Sequence, residues 1–430
     1  MSRASRKNRL TGTLAGVVTV IGIAAAAALA AEWPQYRGPN FNGITDEVVK
    51  PWPAKGPKVV WRQKLGEGFG SFAVAKEKAL CFTTVGQGGE QEGVFAYDAK
   101  SGKPLWHTVI GKTIAGEYQG GSNPRSTPTI AEDKVYVLST YLKLACLNLS
   151  DGKLVWQHDI PVEFNGQGQL NTAGIKKWGV ASSPIVTGDL VIVAGGGPNQ
   201  TALAFDRKSG KVAWKALTED ITHATPTLAE IDGVKQVIFF FKSGLVSLDA
   251  TSGKELWRYK FRWNISTAAS PVVDGNVVYC SAAYDVGAGA IRVTRSAEGS
   301  FGVEEMWRKE GEDMNHWSTP VIRDGYVYGV FGWKKYALGC VELKSGKLMW
   351  THPGVDKGGV ILVKDGVLVQ EETGGLVLVE ASPQAYKELA RAKPLMNPRG
   401  SRSEKCWSMP VVADGLIYTK SNAEGVCLQP

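Results

Sequence analysis

Five near-identical turns constrain this chain more than any other feature. Asp98-Ala99-Lys100-Ser101-Gly102-Lys103 leads to Trp106, Ser150-Asp151-Gly152-Lys153 to Trp156, Asp206-Arg207-Lys208-Ser209-Gly210-Lys211 to Trp214, Asp249-Ala250-Thr251-Ser252-Gly253-Lys254 to Trp257, and Leu343-Lys344-Ser345-Gly346-Lys347 to Trp350. Trp307 continues the series. Trp214 and Trp257 are 43 residues apart, as are Trp307 and Trp350, while Trp106 and Trp156 are 50 apart. These spacings fall near the roughly 40–45 residues of a four-stranded propeller blade. A helical array is the competing repeat architecture. Within each unit, however, apolar residues alternate with polar ones and the breaks carry Gly, Asp and Ser, so the pattern is that of strands.

A second motif counts the units independently. Inner strands open at Ser126-Thr127-Pro128, Ser182-Ser183-Pro184, Ala224-Thr225-Pro226, Ala269-Ser270-Pro271, Ser318-Thr319-Pro320 and Ser408-Met409-Pro410, with degenerate copies near Ser71-Phe72 and Gly358-Gly359-Val360. That makes eight units. Lys58 to Gln63 read as a Trp-bearing last strand with no unit before it, and the unit opening at Trp407 stops after its third strand. The expected fold is therefore all-β: an eight-bladed propeller over residues 58–430, closed by strand 58–64 completing the C-terminal blade. Ring closure removes the free edges of an open sheet array.

Residues 1–31 read as a targeting segment. Arg3, Arg6, Lys7 and Arg9 precede an uncharged run from Leu10 to Ala30, and Ala28-Leu29-Ala30 forms a cleavage signature. The expectation is an exported, periplasmic protein, with an uncleaved membrane anchor as the alternative. The segment holds four of the 49 basic residues and none of the 41 acidic ones, so the net charge of +8 is largely a targeting signal. The remainder is close to neutral, and a nucleic-acid partner is not implied. Of the 6 Cys, Cys146, Cys340 and Cys427 fall on third strands and Cys81 and Cys280 on second strands of different blades, where they read as small apolar residues rather than disulfides, while Cys406 opens its blade at a loop.

Residues 32–57 contain Trp33-Pro34-Gln35-Tyr36-Arg37-Gly38-Pro39 and read as an extended strap packing Trp33 and Tyr36 on the ring, with Arg37 a candidate to lie over the channel mouth. Ser382 to Leu389 read as a helical turn with Ser382 as N-cap and Pro383 behind it. Among the 5 His, His107, His158 and His352 sit on outer strands and are expected to face solvent. His223 and His316 precede inner strands, on the face toward the axis. Arg125, Trp178, Thr267, Trp317 and Trp407 converge there by repeat position, and Trp333 lies in a loop on the same side. Together with Arg37 they are the candidate residues for binding a ligand or a partner. No catalytic residue or metal ligand is assigned, because no His pair has metal-ligand spacing.

The Ser-x-Pro strands, the Ser-Gly-Lys turns and the eightfold count resemble the pyrroloquinoline-quinone-like propeller repeat, and the Trp33–Pro39 motif is similar to that of exported bacterial BamB-like members. The quinoprotein dehydrogenases of that class imply a stacking Trp, an adjacent Cys-Cys disulfide, a calcium site and an Asp base. This sequence has no Cys-Cys pair and no Cys-x-x-Cys-His haem motif. The resemblance therefore implies a monomeric, non-catalytic scaffold without a cofactor, binding a protein partner of the cell envelope in outer-membrane protein assembly. The alternatives are a divergent quinone- and calcium-dependent alcohol or sugar dehydrogenase, and a carbohydrate-binding propeller with exposed Trp178, Trp317, Trp333 or Trp407.

Overall fold

The computed structural model describes residue 1 and residues 31–86, 89–114, 123–311, 314–332, 335–396 and 405–430. The targeting segment and Trp333 lie outside them. Among the described residues no helix is long and apolar enough to cross a membrane.

Eight antiparallel four-stranded sheets form the ring. Seven are continuous in sequence, from blade one (Ala73–Ala75, Lys78–Val85, Gln91–Asp98, Pro104–Lys112) to blade seven (Gly358–Val363, Gly366–Glu371, Leu376–Glu380, Glu388–Ala392). Blade eight takes three strands from the C-terminal end, Val411–Ala413, Leu416–Lys420 and Glu424–Gln429. Its outer strand is Lys58–Lys64, paired antiparallel with Glu424–Gln429. The closure expected from the sequence is the closure observed.

The repeat motifs are the joints between blades. The indole N–H of Trp61 donates to Ala99 O at 2.8 Å, that of Trp106 to Leu149 O, Trp156 to Arg207 O, Trp214 to Ala250 O, Trp307 to Leu343 O and Trp350 to Ser382 O. Each acceptor belongs to the third-to-fourth-strand turn of the following blade. The turn glycine lies flat on the same ring: Gly253 has φ +72°, and a Cβ there would sit 2.6 Å from the Trp214 ring. Only glycine meets both conditions. Trp257 is the exception and donates to Gln236 in its own blade, because blade five turns through Ser296–Ser300, beyond a long hairpin.

Opposite each docking Trp stands a small residue: Ala96, Cys146, Ala204, Ala290, Cys340 and Cys427 face Trp106, Trp156, Trp214, Trp307, Trp350 and Trp61. All six Cys are buried, and Cys81, Cys146, Cys280, Cys340 and Cys427 are free thiols. The inner strand starts are laced in a belt. The Ser71 amide donates to Thr127 Oγ1, Thr127 to Ser183 Oγ, Ser183 to Thr225 Oγ1, Ser270 to Thr319 Oγ1, and Met409 back to Ser71 Oγ, at 2.9–3.0 Å. The hydroxyl of the residue just before the Pro, in Thr127, Ser183, Thr225 and Thr319, is thus a stitch to the neighbouring blade.

Two expectations are corrected. Residues 382–387 form no helix. They make the long hairpin loop into Glu388–Ala392, held by Glu380 N donating to Lys387 O and by Tyr386 stacked 3.7 Å from His352. His352 and His158 are half-buried rather than solvent-facing: the His158 Nε2 bonds Gly210 O at 2.7 Å and the ring stacks on Phe205.

Candidate functional site

The strap decides the shape of the axial channel. Trp33 exchanges backbone hydrogen bonds with Val74 in blade one, and Ile130 N of blade two donates to Pro34 O. Ten residues on, Gly43 and Thr45 pair with Leu362 in blade seven. Between them Arg37 donates to Thr319 O at the start of blade six, four blades round the ring from Ile130 in blade two, so the strap crosses the axis. Tyr36 reaches the axial cavity from it and bonds Thr319 Oγ1 at 3.0 Å. Arg37 is therefore not at the mouth. It is buried within the strap, donating to Phe41 O, Asn42 O and Thr319 O, and burial lowers its pKa to about 10.

Beyond this plug lies a cavity of about 460 Å³, open at the face where the inner strands begin. Six candidates from the sequence line it together: Arg125, Trp178, His223, His316, Trp317 and Trp407. Thr267 does not. It is fully buried behind the wall, where its carbonyl accepts from His223 N. Trp178 is delivered by a short helix, Ala173–Trp178, which stops at Gly179 with φ +72°. The same connection between blades two and three holds two further helical turns, Ile160–Glu163 and Gln167–Leu170.

Repeat position did not single out six cationic and aromatic lining residues: Lys177, Lys357 and Lys405, with Phe69, Tyr284 and Tyr336. Lys357 and Lys405 directly precede blades seven and eight, so the repeat alignment carried the signal. Cations and rings are interleaved. Arg125 stands 4.8 Å from the Phe69 ring centre, Lys405 4.7 Å from Trp407, Lys177 4.8 Å from Trp178 and Lys357 4.8 Å from Tyr336. Trp407 itself packs 5.3 Å from Trp317 and 4.8 Å from Phe69.

No Asp or Glu is among the described lining residues; Glu372 sits outside the cavity and is shared by Lys357 at 2.9 Å and Lys405 at 3.4 Å. Burial pushes the Arg125 guanidinium down to about 10 and lowers both lysines. His223 falls to about 3, from burial first and then from Arg125, and His316 to about 4, from burial and then Lys357. Both imidazoles are neutral near pH 7.

This set of groups can stack a flat ring and neutralise an anion. The rings suit a planar polyanion, but no carboxylate among the described lining residues would ligate calcium or act as a base, and among the described residues no three His, Cys, Asp or Glu are placed to hold a metal ion.

Comparison with known proteins agrees with the repeat. The profile of the family described as outer membrane protein assembly factor BamB matches residues 45–173 and 90–352. The assembly factor BamB of Yersinia pestis is 24% identical over 362 residues, covering 79% of this chain and 82% of that protein. Among solved structures, BamB from Moraxella catarrhalis superposes with a TM-score of 0.57 at 16% identity, covering 87% of this chain and 97% of its own. The quinohemoprotein alcohol dehydrogenase of Comamonas testosteroni superposes with a TM-score of 0.62 at 14% identity, covering 94% and 81%. At such identities the structural likeness establishes the fold alone.

Proposed function

The chain belongs to the outer membrane protein assembly factor BamB family, and we propose that it is an exported, non-catalytic scaffold that binds a protein partner of the cell envelope during outer-membrane protein assembly. The observation that carries this reading is the axial cup. Its groups are those of recognition: rings, cations and two neutral imidazoles, with no acid–base pair among the described lining residues. Curated relatives named as assembly factors span most of the chain and support the same reading. In this reading residues 1–31 direct export, membrane contact runs only through that segment where it stays uncleaved, and the propeller acts as a monomer without a resident cofactor.

Fold does not fix function, so the test is physiological. The gene is deleted in its native host and the folded fraction of outer-membrane β-barrels is measured by heat-modifiable mobility. A fall that the intact chain restores is expected. Unchanged barrel levels, with dye-linked alcohol or sugar oxidation by the purified protein on addition of pyrroloquinoline quinone and calcium, would replace the scaffold with an enzyme.

A further inference from the structure

We propose that the axial cup seats the C-terminal end of a polypeptide, taking its free carboxylate on the cationic wall and an aromatic last side chain among the rings. This rests on the scaffold reading, which makes the partner a polypeptide, and adds which part of it is held.

The first argument is topological. Because the strap closes the far end of the channel with Tyr36, a chain segment that enters has no exit. A chain end needs none. The cavity, about 460 Å³, lies within the roughly 300–1,000 Å³ of small-ligand pockets, which suits one or two terminal residues and not a folded element.

The second argument concerns polar atoms left waiting. Trp407 Nε1, Ser318 Oγ and His223 Nε2 are buried without a hydrogen-bond partner, and all three residues line the cavity. Ser318 is 5% and His223 6% exposed. Each such group costs about 1–3 kcal/mol if nothing satisfies it, and these three share one cavity, where a single occupant can meet them together. Ser266 Oγ lies 3.3 Å from His223 Nδ1. When the hydroxyl donates there, Nε2 carries the proton. The three groups then form a set of donors, which a carboxylate meets with two charged oxygens and an amide with only its one neutral carbonyl oxygen.

The third argument is charge. Arg125, Lys177, Lys357 and Lys405 face a lining in which the described residues include no carboxylate. Neutral sugars are usually gripped by carboxylates and amides that accept from hydroxyls; this wall offers mainly donors. Burial weakens the cationic forms of Arg125, Lys357 and Lys405, and an anion entering the cup reverses that cost. The rings of Phe69, Trp317 and Trp407 supply the apolar face for the side chain.

The test titrates the full mature chain with a hexapeptide ending in phenylalanine, followed by Trp fluorescence and calorimetry. Parallel arms use the same peptide amidated at its C-terminus, and N-acetyl-phenylalanine. Saturable binding of the free acid is expected, weakened about tenfold or more by amidation, the scale of a charge-assisted contact. Trp407→Phe keeps a ring but removes the N–H, and Lys405→Gln removes a charge; each should weaken the acid severalfold and narrow its advantage over the amide. Equal binding of acid and amide, or none at millimolar peptide, overturns the proposal. Equal affinity for N-acetyl-phenylalanine overturns the assignment to a chain end and makes a free small acid the occupant. These failures are separable from failure of the scaffold reading, which is decided by barrel levels in the deletion strain.

Discussion

In the outer wall the Trp61 ring lies within 6.0–6.4 Å of Phe72, Tyr97 and Tyr418, its N–H is satisfied by Ala99 O, and Gly102 of the next blade rests on its face. At the axis Trp407 is half-buried, its N–H has no partner, and Lys405 and Arg125 stand over its ring. The same side chain is complete in one place and incomplete in the other. Trp33 and Trp52 also lack an N–H partner but lie in the core, so what separates a tryptophan that holds the ring from one that waits for a ligand is whether the fold has covered its face.

The comparison breaks first at the wall. Trp61→Ala opens a cavity and unlatches the closure strand, so chemical denaturation should show a loss of about 3–5 kcal/mol. If Trp407→Ala cost as much, the distinction would fail. Gly253→Ala should come next, at about 1–2 kcal/mol or more, since the left-handed backbone and the Trp214 ring both oppose a Cβ.

Titration separates the two regions by sign. Glu92 is buried inside blade one, accepting from the Thr140 amide and hydroxyl, and burial raises its pKa to about 7. Its folded value lies above its unfolded one, so its stabilisation is complete below about pH 4.5 and is lost as the pH rises through 7. Between pH 5 and 8 the wild type should lose on the order of 2–3 kcal/mol relative to Glu92→Gln. His223 at the axis is depressed to about 3. Its contribution is present above about pH 6.5 and is lost as the pH falls, so His223→Asn should flatten the acid limb of the stability curve and leave the neutral limb alone. The reverse assignment of limbs would contradict both burial arguments.

The smallest stability change belongs to the axis: Trp407→Phe should shift the unfolding free energy by less than about 1 kcal/mol while weakening the C-terminal peptide severalfold.

The wall was legible in the sequence because it repeats. Every Ser-Gly-Lys turn, Ser-x-Pro start and docking Trp solves one local problem, joining a blade to the next, and the solution recurs with each blade. The cup was half legible. Arg125, Trp178, His223, His316, Trp317 and Trp407 were found by their place before inner strands, whereas Lys357 and Lys405 look like solvated loop charges until the ring brings them to Trp407. Arg37 was misplaced for a related reason. The strap pairs with Val74 and Leu362, far apart in sequence, and nothing local in Trp33–Pro39 says that it crosses the axis. The helical turns between Ile160 and Trp178 are short and rich in Gly and Gln, and periodicity does not register them.

The most direct measurement of the division between wall and cup is complementation of the deletion strain by Trp317→Ala/Trp407→Ala, with the melting curve of the purified variant recorded alongside. The cup account predicts a cooperative, near-wild-type unfolding transition and a failure to restore folded outer-membrane barrels. Full restoration by the double variant would contradict it and move the functional surface away from the axis.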